Sequence, residues 1–191
     1  MTTWEGVTFG EAGGADAGRV VMIRLQDKGL TGDLPAALVR LTALKVLWLQ
    51  GNQLTSVPVE LGSLTSLTTL SLSGNQLTSV PAALGGLTAL TALHLSKNQL
   101  TSVPEELGGL TALTRLFLPM NRLTSVPAEL GGLTSLRELY LHENQLTSVP
   151  ESLRRLTSLI KMSLSGNQLT SMPTAWETGG ALEQSNCAIF R

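Results

Sequence analysis

The sequence is short of the groups from which most active sites are built. Its 191 residues include one cysteine (Cys187), two histidines (His94 and His142) and a charged fraction of only 14%. A lone cysteine closes no intramolecular disulfide, which points to a reducing compartment, and a cytoplasmic protein is expected. The N-terminal Met1-Thr2-Thr3-Trp4-Glu5-Gly6 carries neither the basic nor the apolar region of a secretory leader. A run of about 18 apolar residues is absent, so no membrane insertion is expected. The net charge of −1 offers phosphate no general attraction, which argues against nucleic acid as a partner. Aromatic residues make up 4% against a hydrophobic total of 42%, so any core must be aliphatic.

What the sequence has in excess is leucine in fixed register. The segment Leu-Thr-Ala/Ser-Leu begins at Leu41, Leu64, Leu87, Leu110, Leu133 and Leu156, each 23 residues after the last. A fixed period of this length is the mark of a stacked repeat architecture. The unit reads Leu-x-x-Leu-x-x-Leu-x-Leu-x-x-Asn-x-Leu-Thr-Ser-Val-Pro-x-x-Leu-x-x. Leu47-Trp48-Leu49 alternates in, out, in, as a short strand with one buried face does. Asn52, Asn75, Asn98, Asn121, Asn144 and Asn167 then place one amide at each inner turn, where it can bond backbone groups of its own and the neighbouring unit. Pro58, Pro81, Pro104, Pro127, Pro150 and Pro173 stop the strand from continuing. The glycine pairs that follow in several units are weak helix formers, so extended or 3-10 backbone is expected on the outer side.

These residues resemble the leucine-rich repeat family over about residues 20–178. The Leu-Thr-Ser-Val-Pro segment is similar to its short, Leu-Pro-containing class. The resemblance implies an α/β horseshoe: a right-handed solenoid with a concave parallel β-sheet and an extended or 3-10 convex side. One domain over 1–191 is expected. Residues 1–40 would form the N-terminal cap and a first repeat of 24 residues, 41–178 six repeats of 23, and 179–191 a C-terminal half-repeat cap. Leu30-Thr31-Gly32-Asp33-Leu34-Pro35 resembles the plant-type repeat. Trp4-Glu5-Gly6-Val7-Thr8-Phe9 is similar to a plant-type cap in which Phe9 stands where that family has a disulfide cysteine. Packing of Trp4 and Phe9 would then close the cap, with residues 10–19 as a loop. At the other end Trp176 takes a leucine slot, Leu182 opens a seventh unit, and Ser185 and Cys187 fall where strand leucines belong. Closed caps disfavour end-to-end stacking, so a monomer is expected.

Because the units are nearly identical, the columns that vary carry the functional signal. The outward position between the two strand leucines holds Arg24, Trp48, Ser71, His94, Phe117, Tyr140 and Ser163. Of the seven aromatic residues, Trp4, Phe9, Trp176 and Phe190 fall in the caps, and Trp48, Phe117 and Tyr140 fall in this one column. Departures from Ser, Thr and Gly in neighbouring columns crowd into the fourth and fifth regular repeats. There Arg115, Phe117, Pro119, Met120 and Arg122 meet Arg137, Glu138, Tyr140, His142 and Glu143. Exposed aromatics flanked by arginine have the composition of an interface hot spot. The candidate partner-binding residues are therefore Trp48, His94, Arg115, Phe117, Met120, Arg122, Glu138, Tyr140, His142 and Glu143. Members of the leucine-rich repeat family commonly bind partners on the concave face, and the resemblance implies a protein partner here. The alternative is that concave aromatics simply stack on one another.

No catalytic residue, cofactor or metal site is expected. His94 and His142 are two repeats apart and offset along the strand, roughly 10–12 Å by strand spacing, whereas zinc needs about 2 Å to each nitrogen. The aspartates are Asp16, Asp27 and Asp33, three or more repeats from His142, so no Ser-His-Asp set can close. The pairs Gly85-Gly86, Gly108-Gly109 and Gly131-Gly132 recur with the repeat and read as turns, not a phosphate loop. The leading function is a non-enzymatic protein-binding module. The alternatives are a ligand-sensing or substrate-recruiting domain of a larger receptor or effector, a carbohydrate or small-ligand binder, and a consensus-designed scaffold.

Overall fold

Strand alternation and proline placement shape each repeat as the sequence implies. The computed structural model of the chain describes residues 5–171 and the backbone of 188–190. Its first strands are β1 (Val7–Phe9), β2 (Val20–Arg24) and β3 (Thr31–Asp33). They are followed by β4 (Val46–Trp48), β5 (Gln53–Ser56), β6 (Thr69–Ser71), β7 (Ala92–His94), β8 (Arg115–Phe117), β9 (Glu138–Tyr140), β10 (Lys161–Ser163) and β11 (Ala188–Phe190). Among the described residues one sheet runs β1-β2-β4-β6-β7-β8-β9-β10-β11, and β3 pairs with β5 in a second, two-stranded sheet. From β2 to β11 the large sheet is parallel, and from β4 to β10 its register never slips: Leu47, Leu70, Leu93, Leu116, Leu139 and Met162 lie side by side.

The opposite side of each repeat is a single 3-10 turn. These turns span Ala36–Arg40, Val59–Ser63, Ala82–Gly86, Glu105–Gly109, Ala128–Gly132 and Glu151–Arg155. Each follows a proline in extended conformation, such as Pro81 with φ −71° and ψ 144°. The fixed φ ends the preceding extended stretch, and five residues suffice for one tight turn but not for a helix. In the four middle turns the fourth residue is glycine, which has a second use. A Cβ on Gly108 would collide with the Glu129 carbonyl oxygen of the next turn, so the bare backbone lets the outer turns pack directly on each other.

Between the two sides lies an aliphatic core of stacked leucines. In one repeat Leu87, Leu90, Leu93, Leu95, Leu100 and Leu107 are fully buried, with Val103 close behind. At about 1.5–3 kcal/mol per buried side chain, each repeat gains most of its stability from contacts that only its neighbours can provide. The ladder asparagines are the main buried polar residues, with Ser71 and Ser163 buried on the sheet face. Asn98 Nδ2 donates to the Leu72 and Leu95 carbonyls, and its Oδ1 accepts from the Leu77 N–H. Asn75, Asn121 and Asn144 repeat the pattern, so each amide ties its own strand end to the preceding repeat. The structural role expected of this ladder is the role it has.

The ends depart from expectation. Phe9 does not pack into the cap; it is among the exposed large hydrophobic residues. What closes the N-terminal edge is β1, which pairs antiparallel with β2 and so satisfies its open backbone groups. Gly6 allows this approach, since a Cβ there would meet the Arg24 carbonyl oxygen. Residues 10–19 are turns, as expected. At the other end Ile189 pairs with Met162 and Phe190 with Ser163. The last strand is thus 27 positions after its predecessor rather than 23, with the Phe190 backbone beside that of Ser163. Trp4, Trp176, Leu182, Ser185 and Cys187 lie outside the described residues.

Replacing Asn98 with alanine removes three buried hydrogen bonds, and should cost about 3 kcal/mol in urea-induced unfolding. Asn167 is only half-buried and water can replace part of its bonding, so Asn167→Ala should cost about 1 kcal/mol. Equal losses at the two positions would contradict a ladder whose strength comes from burial.

Candidate partner-binding face

The parallel register converts the central column into a line of side chains at strand spacing. His94 and Phe117 stack with centroids 4.6 Å apart and planes 8° from parallel. Phe117 and Tyr140 continue the stack at 4.7 Å and 13°. The His142 ring meets Tyr140 edge-on at 6.1 Å and 84°. All four rings are half-buried, each covered by its neighbours and open towards the concave solvent. The stacking alternative is therefore what these aromatics do, at about 0.5–1.5 kcal/mol per pair. Stacking also holds them rigid, which suits a recognition surface.

Of the remaining candidates, Arg115 and Glu138 flank the stack on β8 and β9 in the column before it. Arg115 is exposed and makes no ion pair among the described residues. Met120 and Glu143 are exposed at the turn beyond the strands. Arg122 lies past that turn, where its N–H bonds the Leu100 carbonyl, and it borders the sheet face rather than standing on it. Trp48 is not part of the stack. It stands on β4, separated from His94 by Ser71, and the Arg24 guanidinium carbon lies 5.0 Å from its ring centroid on the β2 side.

Two features escaped the sequence reading. The residue before each ladder asparagine has left-handed backbone: Gly51, Gly74 and Gly166 with φ 72°, 65° and 66°, but also Lys97, Met120 and Glu143 with φ 54°, 55° and 54°. Non-glycine residues accept this strain, about 1–2 kcal/mol each, in the three successive repeats that carry the ring stack. The substitution of glycine in this column was visible in the sequence; that the column demands positive φ was not. The second feature is the column after the strand, where Gln26 Oε1, Gln50 Oε1 and His142 Nδ1 are buried without a hydrogen-bond partner.

Burial holds the His94 imidazole below its ordinary pKa of 6.5, and the Arg115 charge adds to the effect. The folded chain then keeps His94 neutral where the unfolded chain binds a proton. Its neutral form contributes fully above pH 6.5, and stability is lost as pH falls from 6.5 through the depressed folded value. His94→Phe, which preserves a ring in the stack, should reduce the loss in urea midpoint between about pH 7.5 and about pH 5.5; an unchanged loss would place the pH dependence elsewhere. Met120→Gly should raise stability by about 1 kcal/mol, because it relieves the left-handed strain. A decrease would mean that Met120 contributes packing larger than the strain it carries.

Comparison with known proteins agrees with this architecture. Residues 19–188 match the family model described as a leucine-rich repeat region. The receptor protein kinase WSS1 of Oryza sativa subsp. japonica is 54% identical over 52 residues, which is 27% of this chain and 5% of that protein. A leucine-rich repeat protein of Leptospira interrogans superposes with a TM-score of 0.77 at 36% identity, over 85% of this chain and 40% of the other. The ectodomain of the plant receptor kinase GASSHO1/SCHENGEN3 from Arabidopsis thaliana, solved in complex with CASPARIAN STRIP INTEGRITY FACTOR 2, gives 0.62 at 31% identity, over 84% of this chain and 22% of that one. The chain therefore spans well under half the length of each of these proteins. With the family model matched across most of its length and the repeat geometry intact from β4 to β10, this chain belongs to the leucine-rich repeat family.

Proposed function

We propose that the protein is a non-enzymatic interaction module that binds a protein partner on the concave sheet face, centred on β8 and β9. The observation that carries this reading is the coincidence of two costs in the same repeats. The rigid stack of His94, Phe117 and Tyr140 presents aromatic surface to solvent, and Lys97, Met120 and Glu143 occupy strained positions beside it. Strain that persists beside a surface patch is typical of a site kept for binding. Arginine at the edge of the rings adds the composition of a hot spot. The solved complex of GASSHO1/SCHENGEN3 supports the reading by showing a related ectodomain engaged by another molecule. Among the described residues no helix is long and apolar enough to cross a membrane. The single cysteine and a cap edge closed by strand pairing fit a reducing, cytoplasmic setting.

A second reading is favoured by coverage: the chain spans 5% of WSS1 and 40% of the Leptospira protein. Here the same face recruits or senses ligands on behalf of a larger protein. Both readings place binding on the same residues, so one experiment addresses them. Wild-type chain and a Phe117→Ser, Tyr140→Ser variant are used to capture partners from lysate of the source cells. Serine occupies this column naturally at Ser71 and Ser163, so the variant should fold. A partner retained by the wild type and weakened at least about tenfold by the variant is expected. Equal capture by both would remove the ring stack from the binding site.

A further inference from the structure

The central column has serine rungs at Ser71 and Ser163, and Ser71 stands between the Trp48 and His94 rings. Along the sheet the column's occupants are Arg24, Trp48, Ser71, His94, Phe117 and Tyr140 on successive strands. Arg24 covers the face of Trp48 on the β2 side, and Phe117 covers the face of His94 on the β8 side. The two remaining faces look at each other across Ser71. Two strand spacings separate them, about 9–10 Å, and the neighbouring rings stack at 4.6 and 4.7 Å. One planar ring therefore fits midway, in contact with both faces at the spacing the ladder already uses. The space is open: a concave depression of about 390 Å³ lies there, lined by Trp48, Gln50, Ser71, Ser73, His94 and Arg115.

The polar lining specifies more than a ring. Arg115 borders the depression with an unpaired guanidinium. Gln50, whose Oε1 is buried without a donor, lines the same depression and offers an acceptor once its side chain turns towards it. A ligand that satisfied both would carry an anion beside the ring and an N–H or O–H on the ring itself. Small Thr69, Ser71 and Ala92 leave the floor free of competing side chains.

We infer that the slot between Trp48 and His94 receives a tryptophan or tyrosine side chain of a protein partner, stacked between the two rings, with a neighbouring carboxylate on Arg115. The inference rests on the concave-face reading above and names a contact within it. The inserted ring would exclude water from two aromatic faces at once, and its position is set by the sheet spacing rather than by induced fit. The adjacent acid makes the contact selective for aromatic-acidic segments over aromatic ones in general.

The test uses the full chain and three capped dipeptides, acetyl-Trp-Asp-amide, acetyl-Trp-Asn-amide and acetyl-Leu-Asp-amide, titrated to about 10 mM against the Trp48 indole and His94 imidazole NMR signals. Saturable shifts of both signals are expected with the first, several-fold weaker binding with the second and none with the third. Ser71→Phe supplies the ring from within, copies the residue at Phe117, and should weaken the first dipeptide at least about tenfold while urea unfolding remains cooperative. Should Ser71→Phe fail to fold, Trp48→Ser removes one wall of the slot and should give a several-fold loss. Arg115→Gln should erase the preference for aspartate over asparagine. Absence of shifts at Trp48 and His94, equal response to the leucine dipeptide, or full binding by a folded Ser71→Phe chain would overturn the slot. A partner lost on Phe117→Ser, Tyr140→Ser but bound equally by wild type and Ser71→Phe would leave the concave-face reading standing and overturn only the slot.

Discussion

A buried asparagine amide that must satisfy backbone groups of two successive repeats at once is the constraint on which the rest of this molecule depends. Each coil ends its strand with carbonyl groups that no neighbouring strand reaches, and burying them unpaired would cost about 1–3 kcal/mol apiece. The amide of Asn75, Asn98, Asn121 or Asn144 donates to one such carbonyl on its own strand and another on the preceding one. A side chain placed this way fixes the offset between coils. It also requires the chain to turn sharply just before it, and this is why the preceding position is left-handed at every repeat from Gly51 to Gly166.

Once the offset is fixed, the inner face becomes a grid with few degrees of freedom. Equivalent residues stand at strand spacing, so rings placed in one column have little choice but to stack, and gaps in that column have a set width. Recognition on such a face is decided by which residue fills each rung, not by loop conformation. The order Arg24, Trp48, Ser71, His94, Phe117, Tyr140 is in effect a printed pattern of covered and uncovered aromatic faces. Left-handed Lys97, Met120 and Glu143 show how firmly the grid holds: the turn keeps its geometry even where the residue opposes it.

The outer side meets a different requirement. Its 3-10 turns contact each other through backbone rather than through side chains, as at Gly108 against Glu129. This keeps the leucine core sealed with five residues per turn. Little chemistry is displayed there, and the titratable residues it shows, such as Glu105 and Glu129, are solvated. The edges are satisfied separately, by antiparallel β1 at one end and by β11 in parallel at the other.

The sequence alone determined the repeat length, the strand and turn order, the leucine core and the asparagine ladder. Each of these follows from short-range periodicity, in which a residue's environment is set by its position within one coil. It also located the variable column, because variation against an otherwise constant background needs no coordinates to be seen. It misplaced Phe9 and the last strand, where the period breaks and packing against a neighbour, not spacing, chooses the register. Trp48's separation from Phe117 by two repeats is legible in the sequence; only the structure decided that His94, Phe117 and Tyr140 form a continuous stack and that Lys97, Met120 and Glu143 are strained. It alone showed Gln50 and Arg115 lining one depression. The stack and the shared depression are relations between residues 23 or more positions apart, and they exist only after the coils have been stacked at a definite distance and angle.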